Sequence, residues 1–317
     1  MNSVFYHGLT DGFLPAIGVL AIPKIQRQNR CWRQLSHPHN PPTMSSTRLP
    51  IALLQMRSGT EPAANVAFVC EQVREAARRG ARLVVTPEMT TSLDRRPGML
   101  LARAQAQPDD DSLKALCALA RECQIDLLIG SMAVRANADR LANRSLYLSA
   151  AGEVIAQYDK IHLFDADLGE GQRYEESARF VAGEQAVLVQ RAGYSVGLTV
   201  CYDMRFPALY RDLALAGADI ISVPSSFTVP TGVAHWHVLL RARAIETGCF
   251  VLAPAQQGVH EDGRETYGHS VVINPWGEVL AERSEEPGLL MCELDLSEVA
   301  QARRRLPSLQ HARPYQR

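Results

Sequence analysis

Three side chains of this 317-residue chain stand where chemistry could be done: Cys201, Glu88 and Lys160. In Ser195-Val-Gly-Leu-Thr-Val-Cys201-Tyr-Asp-Met-Arg-Phe-Pro207 an apolar strand runs into a cysteine, and Pro207 stands where a helix would begin. A strand-to-helix turn of this kind presents a nucleophile, and the free N–H groups and dipole at a helix start favour thiolate and can receive an oxyanion. A buried core cysteine is the bland alternative. Leu83-Val-Val-Thr-Pro-Glu88 closes an apolar strand with a carboxylate, and active sites in α/β sheets gather at such strand ends. Partial desolvation there is expected to raise the Glu88 pKa toward the range of a general base. An ordinary surface glutamate is the alternative.

Lysine is scarce: of 33 Lys and Arg residues only 24, 114 and 160 are lysines, so Lys160 stands out where arginine is the default. In Tyr158-Asp-Lys160-Ile-His-Leu-Phe-Asp165 it follows a strand, and a compact ammonium fits beside a developing oxyanion. Lys114, on an ordinary helix, shows that a bland lysine also occurs. Arg205, four residues past the cysteine, is a candidate clamp for a substrate carboxylate; a structural pair with Asp203 or another acid is the alternative.

The elements that must hold these residues alternate along the chain from Leu49 onward. Helical stretches at about 65–79, 111–123, 207–216 and 234–246 interleave with short apolar or β-branched runs, the pattern of helix-covered sheets in one α/β domain. We expect that domain over 49–298. The Arg-rich tail 299–317, with too few apolar residues for its own core, is expected to lie on a surface or a partner subunit. Residues 1–43 lack clear periodicity and end in His37-Pro-His-Asn-Pro-Pro42. A disordered extension is expected there, with organellar targeting as the alternative.

Composition narrows the function. A formal net charge of −1 supplies no electrostatic footprint for nucleic acid, and the longest apolar run, Phe13 to Pro23, is far short of a membrane span. Seven scattered cysteines without a CxxC pair argue against a disulfide framework or a zinc site and favour a reducing, cytoplasmic setting. The spacing of His162, His235, His237 and His269 fits no metal site, so structural hydrogen bonds are expected of them. Arg241 and Glu246 are expected in a buried ion network, and Trp276 as a hairpin plug.

Pro87-Glu88, Lys160-Ile-His-Leu-Phe-Asp165 with Glu176-Ser177 sixteen residues after the lysine, and Cys201-Tyr-Asp-Met-Arg-Phe-Pro207 resemble, in order and spacing, the three signature blocks of the nitrilase (carbon–nitrogen hydrolase) superfamily. The resemblance covers essentially Leu49 to Tyr315. It implies a four-layer α-β-β-α sandwich, at least a homodimer with the Cys201 helix region at its interface, and a Glu-Lys-Cys triad. Glu88 would then be the base, Cys201 the nucleophile, and Lys160 with the Tyr202 backbone N–H the oxyanion partners. Glu176 matches the second glutamate near the triad, and no metal or organic cofactor is implied. Cys-Tyr-Asp-x-Arg-Phe-Pro resembles the Nit amidases, whereas true nitrilases typically carry Cys-Trp-Glu; Ala208, where glutamate is usual, departs from the pattern. Hydrolysis of a small carboxylated amide to acid and ammonia is therefore implied. Residues 234–246, 267–270 and 274–277 are similar to the branch acting on deaminated glutathione; ω-amidase action on 2-oxoglutaramate, N-carbamoyl amide hydrolysis and, remotely, a non-catalytic binding protein are alternatives.

Overall fold

Side chains of the central strands alternate with period two between the core the sheets share and the side covered by helices, and that alternation builds the layers. The computed structural model describes residues 19–21, 47–169 and 173–316. The chain runs β1 (Val19–Ala21), β2 (Arg48–Gln55), α1 (Pro62–Arg78), β3 (Leu83–Val85), α2 (Met99–Arg103), α3 (Asp111–Cys123), β4 (Asp126–Arg135), β5 (Leu141–Leu148) and β6 (Val154–Asp159). A hairpin of β7 (Asp165–Asp167) and β8 (Arg173–Glu175) leads to β9 (Phe180–Val181), β10 (Val187–Arg191), β11 (Tyr194–Leu198), α4 (Pro207–Leu215), β12 (Ile220–Ser222), α5 (Val229–Thr247) and β13 (Phe250–Ala253). Then come a second hairpin, β14 (Gln257–Val259) and β15 (Glu265–Tyr267), followed by β16 (Ser270–Ile273), β17 (Val279–Arg283), β18 (Gly288–Asp295) and α6 (Ser297–Arg305).

Two mixed sheets result, ordered β18-β2-β3-β4-β5-β6 and β1-β10-β11-β12-β13-β16-β17. They face each other where β2 meets β16 and β6 meets β10. In β2, Leu49, Ile51 and Leu53 point into that inter-sheet core, while Ala52 and Leu54 point outward onto helices. Strands β3 to β5 repeat the split: Val85, Leu128 and Tyr147 face in, Val84, Leu127 and Leu146 face out. Val69 and Val73 of α1 and Leu116 and Leu119 of α3 cover the first sheet; Leu213 of α4 with Trp236 and Leu240 of α5 cover the second. Each such fully buried side chain contributes about 1.5–3 kcal/mol. The architecture is the expected four-layer α-β-β-α sandwich.

Four details differ from the sequence reading. Helix α5 begins at Val229, ahead of the expected 234, because Pro230 fits a first helical turn and Gly232 packs against the Tyr267 ring with no room for a Cβ. The boundary drawn after 298 cuts through α6, whose Val299 and Ala302 are buried while Arg303 donates to the Ala218 carbonyl at 2.7 Å. Trp276 is no plug: its ring is 43% exposed and lies under the Arg305 guanidinium at 3.9 Å. Glu246 pairs with Arg243, not Arg241, since Arg243 is the buried residue on that helix face; exposed Arg241 donates instead to the Gly277 carbonyl. Of the 1–43 extension, only Val19–Ala21 is described, an antiparallel edge strand on β10; the rest lies outside the described residues.

Candidate active site

The carboxyl ends of β3, β11 and β12 converge, as expected where loops leave parallel strands. Glu88 lies three residues past β3, Cys201 three past β11 and Ser226 four past β12. The Glu88 loop is pinned from behind: Gly130 N donates to Thr86 Oγ1, Thr90 Oγ1 to the Pro87 carbonyl, and Gln256 Nε2 to the Glu88 carbonyl. Gly130 is required there, because a Cβ would collide with the Thr86 and Pro87 carbonyls. On β6 and just beyond it, Ala156, Tyr158 and Lys160 share one buried face by strand alternation, which sends the Lys160 side chain inward.

Lys160 Nζ lies 2.9 Å from Glu88 Oε1 and 2.8 and 3.1 Å from the two oxygens of Glu176. Glu88 and Lys160 are 3% and 2% exposed, so this is a desolvated cluster of two carboxylates around one ammonium. Asn143 Nδ2 donates to Glu88 Oε1 and Glu176 Oε1, both at 3.0 Å, and ties the two acids together. The other oxygen of Glu88 accepts from the Ser226 N–H and hydroxyl at 2.8 and 2.7 Å. Glu176 also accepts from the Phe164 N–H at 2.7 Å.

Cys201 takes a left-handed backbone conformation, φ 49°, rare for a side-chain-bearing residue and a local strain at a turn that presents the sulfur. The surroundings hold it there. Its N–H donates to the Pro224 carbonyl, and fully buried Asp203 accepts from the Val200 N–H, the Tyr158 hydroxyl and both the N–H and ring Nδ1 of His162. The turn is a five-residue 3-10 segment, Cys201–Arg205, and α4 starts only at Pro207. The sulfur therefore does not sit at an α-helix N-terminus as the sequence suggested; the Ser226 N–H and the Glu88 carboxylate are what it touches.

Electrostatics reverses one expectation. Burial does push Glu88 upward, but the Lys160 charge and hydrogen bond, with those of Ser226 and Cys201, outweigh it and hold the carboxyl down at about 2. For Lys160, burial disfavours the charge, yet Glu176 and Glu88 raise it well above the usual lysine range. Burial first, then the Glu88 charge, push the Cys201 thiol up against the opposing pull of Lys160. The resting proton thus stays on sulfur, beside an ionised Glu88.

These groups open into one cavity of about 720 Å³ whose wall also includes Tyr202 and Arg205. Tyr202 lies at the start of the 3-10 turn, where backbone N–H groups have no carbonyl partner inside the turn. Arg205 does not pair with Asp203, whose oxygens are taken as described. Its guanidinium lies 5.9 Å from the Tyr202 ring centroid and 5.5 Å from that of Phe227, with Nη2 3.3 Å from His235 Nδ1. The structure therefore brings Glu88, Lys160, Glu176 and Cys201 together and leaves Arg205 on the wall. Sequence reasoning missed Asn143 and Ser226; in β5 Asn143 stands beside Arg144 and Ser145, so no local pattern singles it out. It also missed a surface cluster, with His237 Nε2 and His269 Nδ1 3.0 and 2.6 Å from Glu282 Oε1, residues too far apart in sequence for spacing to reveal.

Fold and site together define a hydrolase with a buried Glu-Lys-Cys constellation in an α-β-β-α sandwich. Residues 50–304 match the carbon-nitrogen hydrolase family, and the chain belongs to it. It is 42% identical over 284 residues to the deaminated glutathione amidase of Mus musculus, covering 86% of this chain and 87% of that protein. The crystal structure of the Caenorhabditis elegans NitFhit protein superimposes with a TM-score of 0.78 at 34% identity, over 85% of this chain and 66% of that one. A variant of the amidase from Nesterenkonia sp. AN1, with the acetamide moiety of fluoroacetamide added covalently at its active-site cysteine, superimposes with a TM-score of 0.70 at 30% identity, over 83% and 97% of the two chains.

Proposed function

We propose that this chain hydrolyses a small carboxylated amide through a Cys201 thioester, with deaminated glutathione as the preferred substrate. The observation that carries the reading is the Cys201 thiol against ionised Glu88, itself 2.9 Å from Lys160, all on one cavity wall. As Sγ attacks the amide carbonyl, the thiol proton passes to Glu88, so no free thiolate is needed beforehand. The carbonyl oxygen becomes an oxyanion, received by Lys160 and the Tyr202 N–H. The longest Lys160 contact, 3.1 Å to Glu176, is the one the oxyanion can take over. Collapse breaks the C–N bond, and Glu88 returns the proton to the departing nitrogen. Ammonia leaves from a primary amide, an amine from a substituted one. Glu88 then takes a proton from water as it attacks the thioester, and the sulfur leaves and regains that proton.

Glu176 acts as a positioning residue, fixing Lys160 through both its oxygens, and Arg205 grips the carboxylate of the acyl group. In deaminated glutathione the acyl group is 2-oxoglutaryl and the leaving amine a dipeptide; the relative's name supports this choice. A cytoplasmic setting is supported by the need to keep the thiol reduced. A homodimer or higher homo-oligomer is supported by Val233, Val238 and Ile245, which α5 leaves exposed. Among the described residues no helix is long and apolar enough to cross a membrane. The test is product release from a panel of deaminated glutathione, 2-oxoglutaramate, an N-carbamoyl amide and a nitrile, with wild type and Cys201→Ala. Turnover of the first above the others, lost in the variant, is expected. Failure to hydrolyse any of them refutes the reading in favour of a binding protein.

A further inference from the structure

Two guanidiniums on the cavity wall lack acidic partners among the described residues. Arg179 and Arg264 both line the cavity that holds Cys201, and neither makes an ion pair within 4.0 Å among the described residues. Arg264 Nε is buried without a hydrogen-bond partner, a costly state for a charged donor. Among the described residues the one side-chain hydrogen bond of Arg179 is a long 3.4 Å contact to the Asp94 carbonyl. Of the acids that act on Arg179, Asp94 binds Arg96 and Arg103, Asp262 accepts from the backbone N–H groups of Arg95 and Arg264, and Glu176 holds Lys160. Burial, then the like charge of Arg264, lower the Arg179 pKa against the opposing pull of Glu176, Asp262 and Asp94. A buried unsatisfied donor and a second guanidinium on the wall of one cavity suit an anion.

We propose that Arg179 and Arg264 form a second carboxylate subsite, which takes the carboxylate of the leaving amine and so selects amides carrying a carboxylate on each side of the scissile bond. This rests on the hydrolase reading above and assigns residues to the leaving-group end of its substrate. Arg205 sits on the nucleophile's own turn, held by Tyr202 and Phe227, whereas Arg179 comes from the segment entering β9 and Arg264 from the turn of the β14–β15 hairpin. Two anion grips on separate elements suit a substrate charged at both ends. The cavity's ~720 Å³ lies in the range that encloses ligands of peptide or drug size. A simple ω-amide, which leaves as ammonia, gives this second grip nothing to hold.

The measurement is calorimetric binding to the Cys201→Ala protein of deaminated glutathione and of its C-terminal carboxamide, which removes only the distal charge. The acid should bind about tenfold or more tightly than the carboxamide. That preference should vanish in Cys201→Ala/Arg264→Gln, shrink in Cys201→Ala/Arg179→Gln, and return in part with Arg264→Lys, which keeps charge without the fork. Melting temperatures of these proteins guard against misfolding, and either single variant suffices if the other fails to fold. Equal affinity for acid and carboxamide, a preference untouched by both variants, or binding of neither ligand overturns the subsite. The hydrolase reading fails by a different result: wild type that binds the acid but releases no dipeptide from it.

Discussion

Replacing Lys160 with methionine should invert the pH dependence of stability. In the wild type the ammonium contacts Glu88 and Glu176 at 2.8–3.1 Å inside a cluster of which Glu88 is 3% exposed. Removing one partner of a buried ion pair leaves an uncompensated charge and costs about 3–5 kcal/mol. Here two carboxylates would remain, joined only by Asn143 Nδ2. With Lys160 present, the Glu88 carboxyl is held below its unfolded value; that contribution is full above the unfolded pKa, roughly 4.3, and is lost as pH falls toward about 2. Without Lys160, burial and the Glu176 charge act unopposed and raise Glu88 above its unfolded value. The folded state then binds the extra proton, and stability grows as pH falls through the raised pKa, by up to about 1.4 kcal/mol per pH unit. Urea or thermal unfolding of both proteins from pH 8 to pH 5 reads this directly. Wild type should stay level or weaken toward pH 5, whereas Lys160→Met should start several kcal/mol lower and recover. Parallel curves would show that Lys160 is not what holds Glu88 ionised.

Other substitutions separate the roles of the remaining groups. Glu88→Gln should abolish nearly all turnover with the loss in kcat, while Glu176→Gln should be milder and be partly rescued by Glu176→Asp; equal losses in steady-state kinetics would make Glu176 more than a positioning residue. Arg205→Lys should raise KM for acidic amides by about tenfold or more while sparing a neutral amide, because lysine keeps the charge and loses the two-pronged bond. An equal loss for both, or a lower melting temperature, would make Arg205 scaffold. Asp203→Asn should cost about 1–3 kcal/mol and lower kcat, since Asp203 is fully buried and accepts from Val200, Tyr158 and His162 around the Cys201 turn; unchanged unfolding would remove it from the turn's support.

Much of this molecule is local and was readable from residue order. The apolar run of β2, Pro207 at a helix start and apolar spacing in α1 and α3 are signals that operate over a few residues. The three chemical blocks were readable for a related reason, since each is a short strand end with an unusual polar residue attached. What could not be read is whatever depends on elements distant in sequence coming together. Lys160 reaches Glu88 across 72 residues of sequence and Ser226 reaches it across 138, and those two bonds decide whether the carboxyl is raised by burial or lowered by its partners. The same holds for Asn143 bridging two acids, and for Arg179 and Arg264 standing together without one. Periodicity determines which way a side chain points, but charge interactions fall off with distance and rise as water is excluded. Protonation states and the pairing of distant charged side chains therefore belonged to the tertiary structure.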